Sequence, residues 1–158
     1  LHPASISTDG TVCIEMGDVV EIEKRGSAIF LDTGSPHHVE CVAKVSEVNV
    51  QEQGASIRYG APYFEPGSNV NFVEQISAAE FKIRTYERGV EGETLACGTG
   101  AVAAAIGVHH LGLTASDDIF IEALGGKLQV SFNASSGQYS NIQLKGPAVF
   151  VFSGNFSL

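Results

Sequence analysis

Polar and apolar residues alternate along much of this chain, and the alternation gives way once to an unbroken apolar run. Residues 11–16 alternate as a strand that Gly17-Asp18 ends, 27–31 form a short apolar strand, and 39–43 read as another. Residues 48–59 carry a helical period, with Val50, Ala55, Ile57 and Tyr59 apolar between Gln and Glu residues and Gly54 working against it. After a turn at 64–68, residues 69–76 alternate cleanly. Residues 80–88 do so again, with Phe81, Ile83 and Thr85 on one side, which delivers Glu87 and Arg88 to the strand's end. Four extended runs follow, 118–123, 127–133, 138–145 and 148–152, separated by Gly125-Gly126, Ser135-Ser136-Gly137 and Gly146-Pro147. Residues 1–10 are rich in turn formers and read as loop, and 19–24 carry no decisive pattern.

The unbroken run is 98–108, Gly-Thr-Gly-Ala-Val-Ala-Ala-Ala-Ile-Gly-Val, with no charged residue and Ala at four positions. Propensity favours a helix starting near Gly98, and a helix apolar on all faces is buried on all sides. Gly112 closes it as a C-cap. Many strands, one amphipathic helix and one wholly apolar helix predict an α+β fold, a mixed sheet curled around the buried helix.

Cys97 precedes that helix. Free N–H groups and the positive end of the macrodipole there favour a thiolate, with a pKa below the ordinary value of about 8.5. The N–H groups of Gly98, Thr99 and Gly100 are placed to hold a carboxylate or phosphate. A polar cysteine loop leading into an enclosed helix predicts an internal active site, whereas Cys13 and Cys41, among apolar or alternating neighbours, read as small buried hydrophobes. His37 lies in the turn-forming stretch 32–39 after a short strand, where a surface turn histidine and a binding residue are both consistent with the pattern. Asn69, at the mouth of its strand, reads equally as a turn residue or a ligand.

Composition narrows the partners. A length of 158 residues suits one domain, or one domain with trailing pieces of another, and 44% apolar against 17% charged residues describes a globular chain. A net charge of −9 with nine unclustered Lys and Arg argues against nucleic acid or an anionic membrane, and no stretch reads as a membrane span or a signal peptide. Three cysteines without C-x-x-C spacing argue against a disulfide framework or structural zinc, so a reducing cytoplasm is expected. The five histidines, His2 and two adjacent pairs, lack helical metal-ligand spacing, and no metal is expected.

Residues 87–101, Glu-Arg-Gly and then Glu-Thr-Leu-Ala-Cys-Gly-Thr-Gly-Ala, resemble the C-terminal catalytic signature of the diaminopimelate epimerase family. The resemblance extends over nearly the whole chain through M-G-D at 16, G-S-P-H at 34, N-V-N-F at 69, G-G-K-L at 125 and the closing G-P-A-V-F-V-F. It implies that family's fold, a barrel-like mixed sheet around a central helix. It also implies its activity, interconversion of LL- and meso-diaminopimelate by two opposed cysteines in lysine biosynthesis, without pyridoxal phosphate or any other cofactor. By the same resemblance Cys97 is one acid/base and Gly98 and Thr99 donate to the α-carboxylate. Glu87 and Arg88 bind the α-amino end or hold the cysteine loop, His37 and Glu87 tune the thiols, and Asn69 contacts the distal end of the substrate.

Two departures stand out. Ser35 occupies the place of Asn in the family's Gly-Asn-Pro-His, which puts one substrate contact in doubt, and the family's other cysteine, in Cys-Gly-Asn-Gly, has no counterpart. The chain begins with Leu1 rather than Met. The organisation expected from the resemblance is therefore a segment 1–17 leading from a missing N-terminal domain, a C-terminal epimerase domain 18–149, and a terminal strand 150–158 returning to the missing domain. Alone it is expected to be inactive; a homodimer is left open. Alternatives are another isomerase of the superfamily, such as a proline racemase or phenazine-biosynthesis relative, or a non-catalytic binding or dimerisation module.

Overall fold

Strand patterning is realised as a single large sheet in the computed structural model, which describes residues 2–156. In chain order its elements are β1 (Ala4–Ile6), β2 (Thr11–Glu15), β3 (Ile22–Arg25), β4 (Ala28–Asp32), β5 (Pro36–Cys41), α1 (Val50–Tyr59), β6 (Asn69–Gln75), β7 (Glu80–Glu87), β8 (Gly92–Glu93), α2 (Gly98–His110), β9 (Asp118–Ala123), β10 (Gly126–Ser135) and β11 (Gln138–Pro147). The sheet order is β1-β2-β11-β10-β9-β7-β6-β5-β4-β3, with β8 added to β7. Neighbours are antiparallel except β5–β6 and β7–β9. Parallel neighbours need a crossover, and each crossover here carries a helix, α1 in the first and α2 in the second. The sheet curls until Val19, just before β3, exchanges both backbone hydrogen bonds with Tyr139 of β11, at 2.9 and 2.8 Å.

Inside the curl lies α2. Every residue from Gly100 to Val108 is buried, and the helix contacts seven strands, from β4 round to β11. Close approach explains Gly107, where an added Cβ would stand 2.9 Å from the Ile29 side chain. The mixed sheet around an apolar helix is as expected.

Strand β6 is sandwiched between both helices, so its first five residues are all buried instead of alternating. Val70 and Phe72 pack under α1 with Val50 and Tyr86, while Val73 joins the cluster around α2. Asn69 and Asn71, alternating with Val70 and Phe72, therefore fall on the α2 side.

Several boundaries differ from the sequence reading. The loop expected at 1–10 contains β1, which pairs with β2 and so joins the same sheet as the rest. Strand β5 begins at Pro36, so His37 lies within a strand and not on a turn. Helix α1 buries Val50, Gly54 and Arg58 at four-residue intervals; Tyr59, expected on the apolar face, is exposed. The run 148–152 is not a strand, and Val149, Phe150, Val151 and Phe152 are 80–83% exposed. Of the terminal strand expected at 150–158, residues 157 and 158 lie outside the described residues. Among the described residues no helix is long and apolar enough to cross a membrane.

Gly54 is the seat of Tyr86, the residue before Glu87: an added Cβ would lie 2.7 Å from the Tyr86 Cγ and nearer still to its Cβ. Gly54→Ala gains about 1 kcal/mol of helix propensity but must displace a buried ring anchored at its backbone, an overpacking cost of about 1–3 kcal/mol. The expected outcome is a net loss of up to about 2 kcal/mol in denaturant unfolding; a stabilised variant would mean that Tyr86 gives way freely.

Candidate active site at the start of the buried helix

Cys97 is the N-cap of α2, with extended backbone angles of φ −124° and ψ 111°. The loop before it is fixed by β7 and β8, and the helix after it by burial, so the sulfur sits where a constrained loop meets a constrained helix. An added Cβ on Gly100 would lie 3.2 Å from the Cys97 Sγ and 2.6 Å from the Asn71 Oδ1, so glycine is needed for these groups to meet. Thr99 Oγ1 stands 3.5 Å from the sulfur. The Thr33 hydroxyl donates to the Thr99 carbonyl at 3.0 Å and ties the first helical turn to the end of β4.

Behind the cysteine lies a buried polar group built on β5 and β6, whose parallel register sets His37 beside Asn69. Asn71 donates from Nδ2 to the His38 carbonyl at 2.9 Å and accepts from Thr85 Oγ1 at 3.0 Å. This fixes its amide orientation, because the reverse would set two acceptors against each other. The same Nδ2 lies 3.0 Å from His37 Nδ1, which is therefore the bare nitrogen, and the ring proton resides on Nε2, 3.0 Å from Ser35 Oγ. Burial pushes the His37 pKa down to about 3, and the Arg88 guanidinium acts in the same direction.

Asn69 donates to the Pro36 carbonyl at 3.0 Å and to Ser35 Oγ at 3.3 Å, and accepts from the Arg88 N–H at 2.9 Å. Its amide thus ties three segments together. Arg88 donates to the Pro66 carbonyl at 3.0 Å. The Glu87 carboxylate accepts a hydrogen bond from Thr94 Oγ1, which keeps it beside the cysteine. Glu91, in left-handed backbone at φ 59°, caps Gly89 N–H at 3.0 Å and pairs with Arg58 at 3.1 Å, so helix α1 anchors the loop that carries Glu87 and Arg88.

Electrostatics at Cys97 overturn the expectation of a lowered thiol pKa. Burial pushes it up, and the Glu87 carboxylate pushes the same way; the Thr99 hydroxyl and the Gly100 N–H pull it down without prevailing. The resting group is the thiol. The site is also more open than expected: Leu95 and Val90 in the same loop are 70% and 61% exposed. A concavity of about 500 Å³ lined by Val45, Lys82, Arg84 and Leu124 does not include Cys97. Of the other cysteines, Cys13 is half-buried on β2, while Cys41, read as buried, is exposed at the end of β5.

The structure brings Cys97, Glu87, His37, Ser35, Asn69, Arg88, Gly98 and Thr99 to one end of α2. Sequence reasoning missed Asn71, Thr33, Thr94 and the Arg58–Glu91 pair. Asn71 had a signal, since a second Asn two residues after Asn69 falls on the same face of a strand.

Residues 29–151 match the diaminopimelate epimerase family. A diaminopimelate epimerase from Flavobacterium psychrophilum is 50% identical over 152 residues, 96% of this chain and 59% of the relative. One from Chlorobaculum tepidum is 42% identical over 82% of this chain and 49% of its own length. The chain thus spans about two-fifths to three-fifths of the length of the curated relatives it matches. Among solved structures, a hydroxyproline epimerase from Agrobacterium vitis has a TM-score of 0.60 at 14% identity, over 91% of this chain and 52% of its own. A phenazine biosynthesis protein of the PhzF family from Enterococcus faecalis has a TM-score of 0.51 at 16% identity, over 75% and 41%. These likenesses place the fold.

The neutral His37 leaves a trace in stability. Between about pH 6.5 and 3 the unfolded chain binds a proton that the folded ring refuses, so stability falls as pH falls, by at most about 1.4 kcal/mol per pH unit. In His37→Gln, the slope of unfolding free energy from about pH 6 to 4 should be shallower than in the parent, whatever the absolute stability. Equal slopes would show that folded His37 takes up the proton.

Proposed function

The chain belongs to the diaminopimelate epimerase family, and from that premise we propose that it supplies one catalytic half of a cofactor-independent epimerase that interconverts LL- and meso-diaminopimelate in lysine biosynthesis. The observation that carries the reading is a half-buried cysteine thiol at the open N–H end of an enclosed helix, with a carboxylate held against it.

The chemistry follows from what each group does. A thiolate on one face of the substrate's α-carbon takes the α-proton, and the electron pair left behind moves into the α-carboxylate. The N–H groups of Gly98 and Thr99 meet that growing negative charge, where fixed donors stabilise it most. Cys97 gives its S–H proton to the opposite face and becomes the thiolate, so the centre is inverted and the two sulfurs have exchanged roles. A raised thiol pKa suits this donor role. Glu87 disfavours the thiolate, which favours returning a proton to Cys97 between turnovers, and Arg88 binds the substrate or holds the loop. The opposing thiolate comes from outside these residues: Cys13 lies on β2 and Cys41 at the end of β5, neither at a helix start. The greater length of the relatives supports this.

Joining this chain to the part of the Flavobacterium psychrophilum relative that it does not match gives a direct test. With LL-diaminopimelate in deuterated water, the joined protein should exchange and invert the α-position, and the 158 residues alone should do neither. Cys97→Ala in the joined protein should lower the rate by about 10²–10⁴-fold. Undiminished turnover in that variant would overturn the assignment, and a joined protein that binds the substrate without exchange would support a binding module instead.

A further inference from the structure

We propose that Ser35 is a positioning residue for Cys97: its hydroxyl links the buried His37 ring to the Thr99 hydroxyl and so aims a fixed series of hydrogen-bond donors at the sulfur. The inference rests on the reading above, since it concerns the same cysteine.

The buried end of the series dictates the direction of its bonds. The Asn71 amide is oriented by the His38 carbonyl and the Thr85 hydroxyl, so His37 Nδ1 accepts and Nε2 must donate. Ser35 Oγ thus faces two donors, His37 Nε2 at 3.0 Å and Asn69 Nδ2 at 3.3 Å. Both lone pairs are taken, and its own proton is left for Thr99 Oγ1, 3.3 Å away. Thr99 then accepts from Ser35, and when Cys97 is the thiolate the Thr99 proton turns to its Sγ at 3.5 Å. Every link then points outward, and the thiolate is the terminal acceptor.

His37 and Asn71 are fully buried, so water does not compete for the far end of the series. The Thr33 bond to the Thr99 carbonyl holds the last link in place. Ser35 is also short and engaged on every polar valence, which makes it a connector within the protein rather than a ligand for substrate. A thiolate at Cys97 gains the donor; a thiol has no use for it. Ser35 therefore biases the cysteine towards the anionic form, against burial and Glu87.

The test needs no substrate. The alkylation rate of Cys97, read by peptide-resolved mass spectrometry across pH in the 158-residue chain, reports its thiolate fraction. Ser35→Ala should move the midpoint upward and lower the rate below the midpoint by about threefold to tenfold. Ser35→Thr, which keeps the hydroxyl, should restore most of it. Thr99→Val should give at least as large a shift, and adding Ser35→Ala to it should change nothing further, because the connection is already cut. Equal midpoints for parent and Ser35→Ala, or full additivity of the two substitutions, would overturn the proposal. Isomerisation by the joined protein alongside either of those results would remove Ser35 and leave the epimerase reading standing. A non-additive shift without isomerisation would do the reverse.

Discussion

Everything at the site follows from one constraint: α2 carries no polar face, so it must be enclosed on all sides, and the enclosing sheet has to open at one end to let the chain enter. Backbone N–H groups in the first turn of a helix have no partners within it. Where the body of the helix is dry, those groups are concentrated at a single accessible place. The strands that wrap α2 end there too, so β4, β5, β6 and β7 bring Thr33, Ser35, His37, Asn69, Asn71 and Glu87 to it without long loops.

Enclosure also decides the resting state of the sulfur. Helix N-termini favour anions by interactions that fade within a turn, while partial burial strips water from the thiolate and a neighbouring carboxylate repels it. Burial and repulsion prevail at Cys97. The sequence reading weighed the first effect alone, because propensity and spacing reveal a helix start but not how deeply it sits. The two-base isomerisation proposed above needs one sulfur of each kind at any moment, and a cysteine that rests as thiol suits the proposed donor role.

Patterning made the large features legible. The wholly apolar run of 98–108 is the buried helix; the alternation at 80–88 carries Glu87 to the loop; the hairpin punctuation after Gly112 gives β9, β10 and β11. What stayed hidden depends on contacts between distant segments. His37 reads as a turn residue because Gly34-Ser35-Pro36 precedes it, yet parallel pairing with β6 draws it into a strand and under α2. Strand β6 alternates on paper but is buried on both faces, because two separate crossovers place helices on its opposite sides. Helix α1 hides Arg58 and exposes the neighbouring Tyr59 that the apolar period named, since Glu91 and the carbonyls of Phe64 and Glu65 receive the Arg58 guanidinium.

The buried polar residues beneath Cys97 make sense as a source of direction more than of stability. A desolvated amide and imidazole gain little net free energy when well paired and cost much when not, so apolar residues would have held β5 against β6 as well. What they would not do is orient a proton. A hydroxyl on a mobile surface takes whichever partner water offers, but one reached through an amide fixed by the backbone carbonyl of His38 and the hydroxyl of Thr85 has its polarity set in advance. That fixed polarity passes through a neutral histidine, which holds it for as long as the ring stays uncharged, and deep burial keeps it so across the pH range in which thiols exchange protons.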